Sequence, residues 1–129
     1  MKLLLDTHIL LWLFGMPEVI PSKALALLED RSNVILFSPV SLFEIAVKSM
    51  KGVPDFQADI AEVRDALRLH EVSELPLLAS HTMQILKLPL LHKDPFDRLL
   101  LAQAISAGAY LLTVDRALLQ YPSNVLSAR

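Results

Sequence analysis

Four acids, Asp6, Glu44, Asp97 and Asp115, stand beside apolar segments of a chain that contains no cysteine. Carboxylates placed this way either cap helices or converge on a ligand. Two unit charges about 4 Å apart at an effective dielectric near 20 interact by about 4 kcal/mol, so four ionised carboxylates in one pocket would need a counter-charge. A divalent cation supplies it. With oxygen and imidazole the only strong ligand types available, hard Mg²⁺ or Mn²⁺ is the expected ion.

The elements that must position these acids can be read from the hydrophobic pattern. KLLLD at the N-terminus is a short continuous apolar run ending in Asp6, which suits a strand buried on both faces of a parallel sheet. THILLWLFG follows as a helix closed by Gly15 and Pro17, and a second helix starts at Pro21 and Ser22 and stops near Asn33. VILF at 34–37 is the second buried strand. In SPVSLFEIAVKSMKG, Ser38 can N-cap, Pro39 takes the first helical position and Gly52 ends the helix.

Residues 55–69 place Phe56, Ile60, Val63 and Leu67 on one helical face. A strand near His70 to Ser73, a helix from Pro76 to Leu86, a helix after Asp94, a strand over YLLTV at 110–114 and a last strand near Asn124 to Leu126 complete the reading. Alternating apolar strands and helices of this length argue for a parallel sheet between helix layers. Such sheets bind ligands outside the carboxyl ends of their strands, where Asp6 and Asp115 both emerge. Glu44 lies on the helix leaving the second strand and can lean over the same edge.

Each acid also has a purely structural reading. Asp6 can cap the helix beginning at Thr7, Asp115 can cap the RALLQ turn, and Glu44 can close a capping box with Ser41. Ser38-Pro39 is the better helix start, which leaves Glu44 inside the helix without a capping task. In HKDPFDRLLLAQA, Pro95 at the first helical position makes Asp94 the N-cap and puts Asp97 at the third, freer to face a ligand. Asp94 then holds the helix and Asp97 the cation, with the reverse assignment as the alternative.

Bulk properties narrow the function further. At 129 residues and 53% hydrophobic content the chain suits one domain, spanning 1–129. A net charge of −2 and a pI near 6.0 mean that bulk electrostatics would not seize nucleic acid. Any phosphate must be held locally. Absence of cysteine fits a reducing cytoplasm. Asp6 interrupts the N-terminal apolar run too early for a signal-peptide core. The charge-free stretch from Leu99 to Val114 contains Gln103, Ser106, Gly108 and Thr113, so no membrane span is expected.

LLLDTHILLWL, SPVSLFEIAVK, HKDPFDRLLLAQA and LLTVD, in this order and spacing, resemble the PIN-domain ribonucleases that act as toxins in type II toxin–antitoxin pairs. The likeness runs from residue 2 to about residue 118. It implies a three-layer α/β/α fold with a central, mainly parallel sheet, metal-dependent cleavage of RNA, a cognate antitoxin protein and a homodimer. It further implies that Asp6, Glu44, Asp97 and Asp115 fill the acidic positions. Asp6, Asp97 and Asp115 would hold one or two Mg²⁺ or Mn²⁺ ions, with Glu44 ligating directly or through water, to orient a water for in-line attack on a phosphodiester.

Around these acids, Thr7 and Thr113 could hydrogen-bond carboxylates or serve as a helix-start and a strand threonine. Lys48, Lys51, Lys93, Arg98 and Arg116 lie near the acidic edge, where a few could contact phosphates; Arg98 could instead pair with a neighbouring acid. His8 and His92 lack the paired spacing of a zinc site and read as structural or substrate-adjacent. Trp12 and Phe14 belong to the core or to an apolar groove for a partner. A phosphotransfer or phosphatase domain would want a paired acid at the first strand or D-x-D, where this chain has Asp6-Thr7-His8. A PIN-like scaffold that binds RNA or protein without cutting is the non-enzymatic alternative.

Overall fold

In the computed structural model, which describes residues 1–129, five parallel strands form the centre of the molecule. β1 (Lys2–Leu5), β2 (Val34–Phe37), β3 (Ser73–Glu74), β4 (Tyr110–Thr113) and β5 (Val125–Ser127) lie in the order β3-β2-β1-β4-β5. Alternate residues of a strand face opposite sides of its sheet, and the two sides are both apolar. Leu5, Phe37 and Leu112 join one buried cluster with Ile9, Ile45, Val63 and Leu67, whereas Leu4, Leu36 and Leu111 join another with Leu100, Leu101 and Leu118. This double burial explains why the strands read as unbroken apolar runs.

Helices supply the outer layers of the α/β/α sandwich. α1 (Thr7–Gly15), α3 (Pro39–Met50) and α4 (Ile60–Leu69) contribute to the first cluster, with α2 (Ser22–Glu29) adding Ala24, and α6 (Pro95–Ala107) dominates the second. α5 (Ala79–Gln84) packs against α6. Gly108 ends α6 at φ 65°, a left-handed cap that favours glycine. No helix is long and apolar enough to cross a membrane.

Several boundaries differ from the sequence reading. Over 55–69 the chain first makes a 3-10 turn at Pro54–Phe56, and α4 starts only at Ile60, where the Asp59 side chain accepts from the Glu62 N–H. Phe56 is still buried with Val63 and Leu67. The third strand pairs at Ser73–Glu74 rather than from His70, because Glu71 adopts φ 59° and turns the chain just before it. The Pro76–Leu86 segment starts its helix at Ala79 and tightens into a 3-10 turn at Ile85–Lys87. The last strand forms over Val125–Ser127.

Strand order fixes the location of the acids. The chain moves outward from β1 through β2 to β3 on one side, then returns to place β4 on the other side of β1. The carboxyl ends of β1 and β4 therefore flank the point where the order reverses, the usual position of a crevice in an open α/β sheet.

Candidate functional site

Asp6 follows β1 and Thr113 ends β4, and the register that pairs Leu5 with Leu112 sets the two residues side by side. The Thr113 hydroxyl donates to Asp6 Oδ2. Asp6 Oδ1 accepts from the His8 N–H at 3.3 Å, so the residue caps α1 as well as facing the crevice. Asp115 divides its oxygens in a similar way. Its Oδ1 accepts from the Ala117 and Leu118 N–H groups at 2.8 and 3.2 Å, while Oδ2 lies 3.3 Å from His92 Nε2. The structural readings of these two aspartates thus coexist with an inward-facing oxygen.

Asp94 and Asp97 separate as helix geometry requires. Asp94 Oδ1 accepts from the Phe96 N–H at 2.8 Å and the Asp97 N–H at 3.4 Å, the behaviour of an N-cap preceding Pro95. Asp97, one turn into α6, is buried, with Oδ2 2.8 Å from His92 Nε2. Burial is the largest influence raising its carboxyl, joined by repulsion from Asp6, Asp94, Glu44 and Asp115, and together they push its pKa up to about 8. Asp6 is raised by burial too, and by Glu44, against the lowering effects of Thr113 and His8.

Glu44 does not close a capping box. It lies in the second turn of α3 with its side chain 3% exposed, and two protein donors meet it. The Thr7 hydroxyl donates to Oε1 at 2.7 Å, and Lys48 Nζ donates to Oε2 at 2.5 Å. Thr7 Oγ1 also lies 3.0 Å from the Ser41 hydroxyl. Thr7 and Thr113 are therefore both carboxylate partners. Behind them Ser38 caps α3 through the Val40 N–H and donates to Gln103 Oε1, tying α6 to the end of β2.

Asp6, Glu44 and Asp115 each act on the Asp97 carboxyl, whereas only Asp97 and Asp115 come together with His92 within 4.8 Å; two basic residues reach these acids. His92, two residues before the Asp94 cap, approaches both Asp97 and Asp115. Its Nδ1 accepts from the Asp94 N–H at 3.3 Å, which leaves the proton on Nε2 in the neutral ring and makes Nε2 a donor to the two carboxylates. The sequence reading left His92 beside the site without a partner. The cue was its position in HKDP, where the capping turn holds it close to Asp97. Lys48 is the other, reaching Glu44 from one helical turn onward.

The remaining cations are elsewhere. Arg98 points away from the acids: its guanidinium donates to the Pro89 and Ile85 carbonyls at 3.1 and 3.3 Å and to the Tyr121 hydroxyl at 3.3 Å. Five fixed guanidinium donors match a cluster of carbonyls, and Arg98 forms no ion pair with a carboxylate. Lys51, Lys93 and Arg116 are exposed. Trp12 and Phe14 are half-buried and line a hollow of about 410 Å³ with His8, Pro54, Asp55 and Gln57.

The donor set suits a hard cation. His92, Asp97 and Asp115 bring a nitrogen and two carboxylate oxygens within 4.8 Å of one another; with Nε2 donating to both acids, the carboxylates are the candidate ligands, and burial first, then repulsion from neighbouring acids, raises the Asp97 carboxyl. A cation at this point would relieve both the burial and the repulsion.

Comparisons with known proteins agree with the architecture. A family model described as PIN domain matches residues 3–124. The fold resembles that of VapBC2 from Rickettsia felis bound to a DNA fragment from its promoter, at 20% identity and a TM-score of 0.68, covering 98% of this chain and 97% of that one. VapBC-1 from nontypeable Haemophilus influenzae gives 17% identity and a TM-score of 0.65, with 98% and 96% covered. No curated protein sequence matches the chain.

Proposed function

The chain belongs to the PIN domain family, and from that premise we propose that it is a metal-dependent endoribonuclease, the toxin of a type II toxin–antitoxin pair, acting in the cytoplasm as one domain over residues 1–129. Asp6, Glu44, Asp97 and Asp115 are its acidic site residues, and Mg²⁺ or Mn²⁺ is its cofactor. The observation carrying the reading is the approach of Asp97 and Asp115 to one imidazole nitrogen, His92 Nε2, which gathers the three side chains within 4.8 Å of one another.

When bound, the cation supplies an acidified water and offsets charge on the departing oxygen. The chain's own residues organise the rest. Asp97 and Asp115 would hold the cation, and Thr113 fixes Asp6 at the end of β1. Asp94 locks the first turn of α6 so that Asp97 faces the pocket. His92 donates to Asp97 and Asp115 and keeps their oxygens aligned toward each other. The burial of Asp6, Glu44 and Asp97 excludes bulk water from their outer sides.

Protein partners are part of the same reading. The Rickettsia and Haemophilus structures with this fold are of VapBC, which supports a cognate antitoxin. Phe43 is 62% exposed and borders an apolar hollow with Val40, Leu77 and Phe96; an exposed surface of this kind supports contact with a second copy.

Incubating purified protein with mixed RNAs and Mn²⁺, with and without EDTA, tests the activity. Cleavage that EDTA and Asp115→Asn both abolish is the expected result. RNA binding without cleavage in saturating Mn²⁺ would instead identify a scaffold. Growth arrest on expression, relieved by Asp115→Asn, tests the toxin role.

A further inference from the structure

We propose that Lys48 grips the substrate phosphate, and that Glu44 serves as the anchor of that lysine rather than as a direct ligand of the cation. The inference rests on the nuclease reading and assigns it one catalytic and one positioning residue.

Lys48 is held more firmly than a surface lysine needs to be. Its Nζ lies 2.5 Å from Glu44 Oε2 and 3.9 Å from Asp94 Oδ2, and its side chain is 26% exposed. The ammonium sits 4.5 Å from the centre of the Phe56 ring and 5.8 Å from that of Phe96. An aromatic face attracts a cation at these distances. Residues from α3, the 3-10 turn before α4 and the start of α6 therefore converge on one flexible side chain. Fixing a lysine costs rotamer entropy, and the contacts offset that cost with the charge still partly open to solvent.

A phosphodiester brings further negative charge into a pocket already crowded with carboxylates. Lys48 is the only lysine or arginine paired with one of the site acids, since Arg98 is committed to carbonyls. An ammonium has three donors. Glu44 takes one, which leaves donors for phosphate oxygens.

Glu44 has the complementary geometry. Its two oxygens each receive a protein donor, Thr7 on Oε1 and Lys48 on Oε2. Asp97 and Asp115, in contrast, meet only His92 on their inward oxygens. The carboxylate that already has a resident cation is the one least in need of a metal ion.

Two measurements test the pair. The first is binding of a random-sequence single-stranded RNA across a salt series in an Asp115→Asn background, which does not require cleavage. Losing one phosphate contact lowers the slope of log affinity against log salt by about 0.7, expected for Lys48→Gln and largely restored by Lys48→Arg. An unchanged slope and affinity in Lys48→Gln overturn the phosphate assignment.

The second is the Mn²⁺-induced rise in melting temperature. It should titrate within about threefold of the parent's Mn²⁺ concentration in Glu44→Gln, whose charge acts on Asp97 without ligating, but at tenfold or more higher concentration in Asp97→Asn. A comparable displacement in Glu44→Gln would make Glu44 a direct ligand and overturn its role as anchor. Where the parent protein cleaves, Lys48→Gln should lower kcat/KM by tenfold or more. A parent that binds RNA and Mn²⁺ without cutting defeats the nuclease reading alone, since the binding outcomes stand apart from it.

Discussion

Two walls of the acidic pocket differ in what neutralises them. On the α3 wall, Glu44 meets Lys48 and Thr7, and the negative charge is answered within the protein. On the α6 wall, Asp97 and Asp115 share a single imidazole Nε2, and Asp97 stays protonated to about pH 8. One wall is complete as folded; on the other, the proposed cation would supply a charge that the chain does not provide. Burial alone does not separate them, because Glu44 and Asp97 are both buried. What separates Glu44 from Asp97 is the Lys48 ammonium and Thr7 hydroxyl that reach the first, against the single His92 Nε2 at the second.

The strongest way to sharpen this contrast is to remove the charge from the incomplete wall. Asp97→Asn or Asp115→Asn should lower RNA cleavage by about 100- to 1,000-fold, the usual scale for deleting one electrostatic group from a site. Cleavage within about threefold of the parent would break the assignment. In the same preparations, Mn²⁺ at about 100 times its dissociation constant should add about 2.7 kcal/mol of stability to the parent, and Asp97→Asn should erase most of the gain, as read by chemical denaturation.

Metal-free protein gives a third comparison through pH. The folded pKa of Asp97, about 8, lies above the ordinary 3.8. Between these values the folded state keeps a proton that the unfolded state has released, so stability falls as pH rises from about 4 to about 8. Asp6, also raised, acts in the same direction. Melting temperatures in EDTA should therefore decline across this window, and Asp97→Asn should flatten the decline. A melting temperature that rises over the same range would contradict the buried charge.

Smaller effects belong to the complete wall and to the cap. Thr7→Val leaves Glu44 Oε1 without its donor and should cost about 2 kcal/mol, within the range for a buried acceptor left unsatisfied. Asp94→Ala removes the N-cap of α6 and should cost about 1 kcal/mol, with a lower Mn²⁺ affinity if the cap sets the direction of Asp97. Urea midpoints measure both.

The capping roles in HKDPFDR were legible because they are local. Pro95 cannot donate its missing N–H and is suited to the first helical turn, so Asp94 and Asp97 acquire different surroundings within four residues. Lys48 was legible only as one of several nearby cations, since nothing in a helical i, i+4 spacing reveals that Phe56 and Phe96 close around it. Arg98 shows the opposite case. It lies next to Asp97 in sequence, yet the helix directs it toward the carbonyls of Ile85 and Pro89. Thr7 gave no sign of Glu44, 37 residues away.

By itself the sequence determined the alternation of strand and helix, the double burial of the sheet, the principal caps and the presence of acids at strand ends, since periodicity and capping act over a few residues. Tertiary structure decided the order of the strands, the pairing of Thr113 with Asp6 across 107 residues, and the division of cations between His92, Lys48 and Arg98. Those outcomes depend on how distant segments pack, and a one-residue change of register would turn the same side chains to other faces.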